Sequence, residues 1–278
     1  MVTRSSSSNV TRRGTTPSLT LEIEERDGKG RIARLAVNHP GKLNILNRAL
    51  IDELAAKVEA LASDAGLRAL VLTGAGERAF IGGADIRDLA ALDQASAAPF
   101  ITALHRACTA LRHLPVPVIA RIHGYTLGAG LEVAAACDLR IASEHARFGM
   151  PEVKIGIPSV IEAALLPNLI GWGRTRRLLL TGETIDAHEA ERWGLVEWCV
   201  PAAQLDAAVE ELLQAIVSCG PAALRLQKTL IREWEDLPVS QAIERGVTRF
   251  ADAFATDEPQ RMMGGFLATA ASRKRARD

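Results

Sequence analysis

The chain has no excess of either charge and few aromatic residues. Its 33 Lys+Arg balance 33 Asp+Glu, and Phe, Trp and Tyr make up 4% of it. A nucleic-acid binder usually shows a basic face or stacking aromatics, so nucleic acid is not an expected partner. The same balance gives no pull toward an acidic membrane surface, and no apolar run reaches the ~18–20 residues a membrane span needs. The four cysteines, Cys108, Cys137, Cys199 and Cys219, form no C-x-x-C and no spacing that pairs with histidine as a zinc site. They suit a reducing compartment, and Cys137, in an apolar run, reads as a small buried hydrophobe. A Walker A loop, a G-x-S-x-G elbow and the second histidine that would make His188-Glu189 a zinc-protease motif are also missing. Gly128-Ala129-Gly130 begins like a dinucleotide fingerprint, but Val133 stands where the third glycine belongs. The six histidines make no ligand set, and His123, at a strand end, reads as structural.

What is present is an ordinary globular composition, 48% hydrophobic over 278 residues, enough to bury a large core. Residues 1–18 are rich in Ser, Thr and Arg, with no acid and no apolar stretch, which excludes a secretory signal. Two readings stand: a disordered tail on a cytoplasmic protein, or a mitochondrial transit peptide. Without secretion, the sequon Asn9-Val10-Thr11 is a chance match. The basic end "SRKRARD" reads as solvated.

Beyond the tail, "LTLEIEERDGKGRIARLAVN" reads as two strands around a turn. Leu50, Leu54, Val58 and Leu61 recur at helical spacing after Asn47. "RALVLTG" is a buried strand, and "ERAFIGGADIRDLAAL" a short strand, a glycine turn and a helix start. The unit repeats as "PVPVIARIHG", the loop YTLGAG and a helix from about Gly130, followed by the strand "LRIAS". Strands alternating with helices imply an α/β domain with crossover connections. Past about residue 200 only helices are predicted, through "LDAAVEELLQAIV", "PAALRLQKTLIREW" and "VSQAIERGVTRFADAF".

Two of the predicted strands end in loops of minimal side chains, Gly82-Gly83-Ala84 and Gly128-Ala129-Gly130. Each opens a helix, so its backbone N–H groups are unpaired, and a ligand can approach the chain closely. Glu132 follows Ala129 by three residues, about one helical turn, and so can face the same space. A carboxylate among Leu, Val and Ala is costly unless it changes protonation or finds a partner. Glu152, in "FGMPEVKIG", is a second acid in an apolar setting. Amides for a developing oxyanion and acids for proton transfer together make a catalytic constellation.

"IARIHGYTLGAGLEVAAACDLRIAS", with "GERAFIGGADI" before it and "ARFGMPEVKIGIP" after it, resembles the enoyl-CoA hydratase/isomerase (crotonase) family. The likeness runs from about residue 19 to the end, through "NHPGKLNILN" and "LLLTGETIDAHEAERWGLVEWCVP". It implies an α/β spiral of ββα units over residues 19–205 and a helical C-terminal oligomerisation region over 206–278, giving a homotrimer or dimer of trimers. It also implies that the Ala84 and Ala129 amides hold the thioester oxygen of an acyl-CoA and stabilise an enolate. Losing one such donor typically costs about 2.7–4 kcal/mol. CoA, part of the substrate rather than a cofactor, is expected near Lys42, Leu43, Ala84, Asp85, Ile86 and Gly128. Lys42 is a phosphate contact or a solvated lysine, and Phe254 a residue near a neighbour's ligand or a core residue at a helix interface.

By the same resemblance, Glu132 is the base on water attacking C3 and Glu152 the proton donor to C2, in syn hydration of a 2-enoyl-CoA. No metal or redox cofactor is implied. An isomerase needs only the later acid, so holding both favours hydration. An RNA-binding relative exists in the family, and balanced charge and two acids argue against that role. One departure from the family stands out: after Gly156-Ile157-Pro158 comes Ser159-Val160-Ile161-Glu162-Ala163-Ala164 instead of a glycine-rich run. Ser159 and Glu162 fit a helix capping box, and the alternative makes Glu162 a third acid near the substrate.

Overall fold

The computed structural model describes residues 17–275. The expectations for residues 1–16, including the Asn9 sequon, and for the last three residues of the basic end lie outside them. β1 (Ser18–Arg26) and β2 (Gly30–Asn38) form an antiparallel hairpin, and α1 (Arg48–Leu61) follows, capped by the Asn47 side chain on the Leu50 N–H. The chain then repeats one move: a strand in a large sheet, a short strand in a small sheet, and a helix. β3 (Leu67–Gly74) and β4 (Ala79–Ile81) lead into α2 (Ile86–Ala90) and α3 (Gln94–His113). β5 (Val118–Ile122) and β6 (Tyr125–Leu127) lead into α4 (Ala129–Ala135). β7 (Leu139–Ser143) and β8 (Arg147–Gly149) lead through two short 3-10 helices, Pro151–Ile155 and Ile161–Leu165, into α5 (Leu166–Thr181). β9 (Thr184–Asp186), α6 (Ala187–Trp193) and β10 (Trp198–Val200) close the series.

The result is a six-stranded sheet, β1-β2-β3-β5-β7-β10, beside a four-stranded sheet, β4-β6-β8-β9. This is the ββα spiral the sequence implied. β3 is buried almost throughout because helices cover both faces of the parallel part of the large sheet, which explains its unbroken apolar run. One face, with Leu35, Val37, Leu70, Leu72 and Val118, joins the main core with α1 and α3. On the other face Ile32, Val71, Ile119 and Ile141 meet Val209, Leu213 and Ile216 of α7 (Leu205–Ser218). The first C-terminal helix thus closes the sheet.

The twenty-residue α3 is absent from the sequence expectations. It starts at a reciprocal capping box between Asp93 and Ser96 and buries Phe100, Leu104, Ala107, Cys108 and Leu111. α8 (Pro221–Asp236), α9 (Val239–Ala253) and α10 (Glu258–Arg275) complete the described chain. On α9, Val239, Ile243, Val247 and Phe250 are all exposed at helical spacing, an apolar stripe open to solvent in the monomer. Among the described residues no single helix is long and apolar enough to cross a membrane.

Candidate active site

In the small sheet, β4 runs parallel to β6 and β6 parallel to β8, with Leu127 opposite Gly149. Their carboxyl ends, the end at which parallel sheets usually receive ligands, therefore emerge side by side. From them come Gly82–Asp85, Gly128–Ala129 and Met150–Glu152. The first two loops pack tightly: a Cβ on Gly130 would stand less than 3.0 Å from the Ile81 carbonyl, and one on Gly82 less than 3.0 Å from that of Leu43. Leu46 ties the first loop down on one side, donating to Gly83 O at 2.9 Å and accepting from the Asp85 N–H at 2.8 Å. Extended backbone alternates, so the Ala84 N–H between those two bonds points to the opposite side. Ala129 opens α4, where no intrahelical acceptor exists for its N–H, and Gly128 before it has φ +52°. Among the described residues neither expected amide has an acceptor, and the two lie on adjoining loops.

The acids follow from the same geometry. Glu132 lies in the first turn of α4 and is 4% exposed, with Oε1 buried and unpartnered. Burial first, then the negative charge of Glu152, pushes its carboxyl up to about 8; Glu162 adds to the repulsion, and the N–H groups of Ala163 and Val160 oppose it. Glu152, half-buried, reaches back to the second loop: a Cβ on Gly128 would stand less than 3.0 Å from its Oε1. Its Oε2 accepts from the Ser159 hydroxyl at 2.8 Å. The structure therefore assembles Glu132, Glu152 and both amide loops in one place.

The Ser159–Glu162 capping box does not form. Ser159 spends its hydroxyl on Glu152, and the 3-10 helix begins after Val160 with no side-chain cap. Glu162 is instead turned inward, 3% exposed, with Oε1 2.9 Å from His105 Nδ1. Phe254 is no core residue either: it is 45% exposed and packs on Phe250, with ring centroids 5.3 Å apart. Asp85 is buried and fully employed, capping α2 through the Arg87 N–H and pairing with the Arg87 guanidinium at 2.6 Å. Arg87 foremost holds its carboxyl down at about 2. Any CoA contact there falls to the backbone. Ile86 is 62% exposed, and Lys42 is exposed with its charge also felt at Asp85. Leu43 has φ 58° and its carbonyl accepts from the Gly82 N–H at 2.8 Å.

Two features escaped sequence reasoning. Asn44, fully buried, accepts from the His39 N–H at 2.9 Å and donates to Ala75 O at 2.9 Å and Ala79 O at 2.8 Å. It locks the Lys42–Leu43 loop to β4. Its signal was an Asn beside a Gly-Lys turn, a site tolerant of left-handed backbone. His188, Glu191 and Cys199 also gather, with ligand-type atoms within 4.8 Å of one another on the surface, across a helix and strand that sequence spacing does not connect. His123 carries no such role: it stands beside Arg121, and burial with that positive charge lowers it to about 4, so it stays neutral.

Against known proteins, the profile of the enoyl-CoA hydratase/isomerase family matches residues 27–273. The chain belongs to the enoyl-CoA hydratase/isomerase family. It is 35% identical to a short-chain-enoyl-CoA hydratase of Clostridium acetobutylicum, covering 88% of this chain and 94% of that one. It is 34% identical to a crotonyl-CoA hydratase of Syntrophomonas wolfei, with 90% and 95% covered. The crystal structure of an enoyl-CoA hydratase from Bacillus anthracis superposes with a TM-score of 0.84 at 31% identity, over 90% of this chain and 96% of that chain.

Proposed function

We propose that the protein hydrates a 2-enoyl-CoA to a 3-hydroxyacyl-CoA, with Glu132 and Glu152 as the proton-transfer pair. The observation that carries this is the pair itself: two carboxylates, close enough to repel, set against a loop whose Ala129 amide is free. The Ala84 and Ala129 N–H groups would hold the thioester oxygen, so that charge flowing from C3 attack is stabilised as an enolate. Glu132 takes the proton of the attacking water, and Glu152 gives one to C2 on the same face. Coupled carboxylates share their last proton, and burial of Glu132 keeps that proton in the site at neutral pH.

The reading needs no metal or redox cofactor; CoA enters with the substrate, near Lys42, Leu43, Ala84–Ile86 and Gly128. The exposed stripe on α9 supports assembly into a trimer or dimer of trimers, since a monomer would leave it wet. A cytoplasmic location is proposed, with the mitochondrial matrix as the alternative if residues 1–18 are a transit peptide. The test is turnover of crotonyl-CoA and of a longer 2-enoyl-CoA, followed by loss of the conjugated thioester absorbance, beside Glu132→Gln and Glu152→Gln. Both variants are expected to lose about 10²–10⁴-fold in kcat. No hydration, but conversion of a 3-enoyl-CoA dependent on Glu152 alone, would reassign the protein as an isomerase.

A further inference from the structure

Three elements meet behind the catalytic pair: α4 with Glu132, the 3-10 helix Ile161–Leu165 with Glu162, and α3 with His105 and Cys108. Glu162 is as buried as Glu132, and its charge lies close enough to be felt at Glu132. Each has one buried oxygen, Oε1 of Glu132 and Oε2 of Glu162, that no N–H or O–H satisfies among the described residues. The other oxygen of Glu162 is bound to Nδ1 of His105, whose side chain is 52% exposed and whose Nε2 lies 3.4 Å from the Thr109 hydroxyl. Cys108 lies beside the same carboxylate, but burial pushes its thiol well up, so it stays protonated and carries no proton away. The order from inside to outside is buried Glu132, buried Glu162, half-exposed His105 and solvent, with Glu162 and His105 in direct contact.

We propose that Glu162 and His105 form a proton relay connecting Glu132 to bulk solvent. The relay presupposes the two-carboxylate reading above. In each hydration one O–H bond of water breaks, its oxygen bonds to C3, and its proton goes to Glu132. The O–H bond of Glu152 breaks, and that proton bonds to C2. The pair is left with a proton on Glu132 and none on Glu152, the reverse of what the next hydration needs. Glu132 passes its proton to Glu162. Glu162 passes one to Nδ1 of His105, Nε2 releases one to water, and the half-exposed ring exchanges through water back to its Nε2–H tautomer before the next turnover. Glu152, half-buried beside the exposed residues 153–158, takes one proton back from solvent. No proton is gained or lost over the cycle, and no other reactant is needed.

The experiment is steady-state hydration of crotonyl-CoA in weak buffer by His105→Ala and Glu162→Gln, with imidazole as the added probe. Loss of kcat on the order of 10–100-fold is expected for both, with KM kept, because the relay acts after chemistry. Imidazole should restore His105→Ala in a concentration-dependent way, through the exposed opening the side chain leaves, and should leave Glu162→Gln unchanged. Wild-type kcat in His105→Ala, or a loss that imidazole does not restore, overturns the relay. Glu132→Gln and Glu152→Gln run alongside separate the two levels. If both are inactive while the relay variants turn over normally, only the relay falls; if both are fully active, the two-carboxylate reading falls with it. Since His105 is half-exposed and Gln is isosteric with Glu, melting curves should show both relay variants folded.

Discussion

Replacing Glu132 is expected to stabilise this protein, and to do so only at one end of the pH scale. Glu132 titrates near its ordinary 4.5 when unfolded and at about 8 when folded, mainly because burial penalises its charge. Below the unfolded value both states hold the proton and the site costs nothing electrostatic. As pH rises from 4.5 toward 8, the unfolded chain sheds a proton that the folded chain keeps, so stability falls by about 1.4 kcal/mol per pH unit. Above the folded value the penalty is complete. At pH 8 it amounts to about 4 kcal/mol, and at pH 5 to under about 1 kcal/mol. Gln carries no charge in either state and escapes it. For a chain of this size each kcal/mol moves the melting temperature by roughly 2–4 °C. Melting curves of wild type and Glu132→Gln at pH 5 and pH 8 should therefore differ little at the lower pH, with the variant ahead by about 10 °C at the higher. An equal gap at both pH values would refute the claim that burial of a charge, rather than packing, distinguishes the two side chains.

The same titration predicts activity. The pair works while it shares one proton, so kcat/KM should fall above about pH 8, equally for hydration and its reverse; a profile level to pH 10 would count against it. Gly128→Ala places a methyl against Glu152 Oε1 on a backbone with φ +52°, so kcat should drop on the order of 100-fold with roughly 1–2 kcal/mol of stability lost, read by kinetics and melting together. Asn44→Ala strands the His39 N–H and two carbonyls and should cost about 2–4 kcal/mol in denaturant unfolding. Val247→Glu, on a residue 70% exposed in the monomer, should leave the circular dichroism unchanged and reduce the assembly to monomers in sedimentation; an unchanged assembly would remove α9 from the interface.

How much of this was legible in the sequence follows from what kind of interaction decided each part. The parallel strands and the glycine loops could be read because a strand buried on both faces must be apolar throughout, and a loop that a neighbour touches must be small. α3 was missed because it is long, capped by polar residues and interrupted by Pro99, so its period is diluted. The Ser159–Glu162 spacing fits a capping box in any sequence, and only the tertiary pull of Glu152 on Ser159 and of His105 on Glu162 decides otherwise. Asn44 had a local signal in its Gly-Lys turn, but its partners lie at Ala75 and Ala79. The His188–Glu191–Cys199 grouping depends on how α6 packs on β10, which no spacing motif encodes.

The irregularities of this molecule are not spread evenly, and their distribution supports the site independently of any resemblance. Among the described residues three non-glycine residues have positive φ: Leu43, Asn44 and Ile161. Leu43 and Asn44 hold the first amide loop; Ile161 lies between Val160 and Glu162, in the segment whose amides face Glu132. A strained residue persists only where its surroundings over-determine it. Here the surroundings are the fully bonded Asn44 on one side of the site and buried Glu162, held by half-exposed His105, on the other. Strain, a buried acid with a raised pKa and two of the buried carboxylate oxygens without a hydrogen bond, those of Glu132 and Glu162, lie near the open ends of β4, β6 and β8, with further ones on Glu183 and Glu233. The large sheet carries the regular packing. A fold optimised only for stability would relieve these costs one by one. Their persistence together fits a site that moves protons through buried groups, because there the costs and the chemistry are the same interactions.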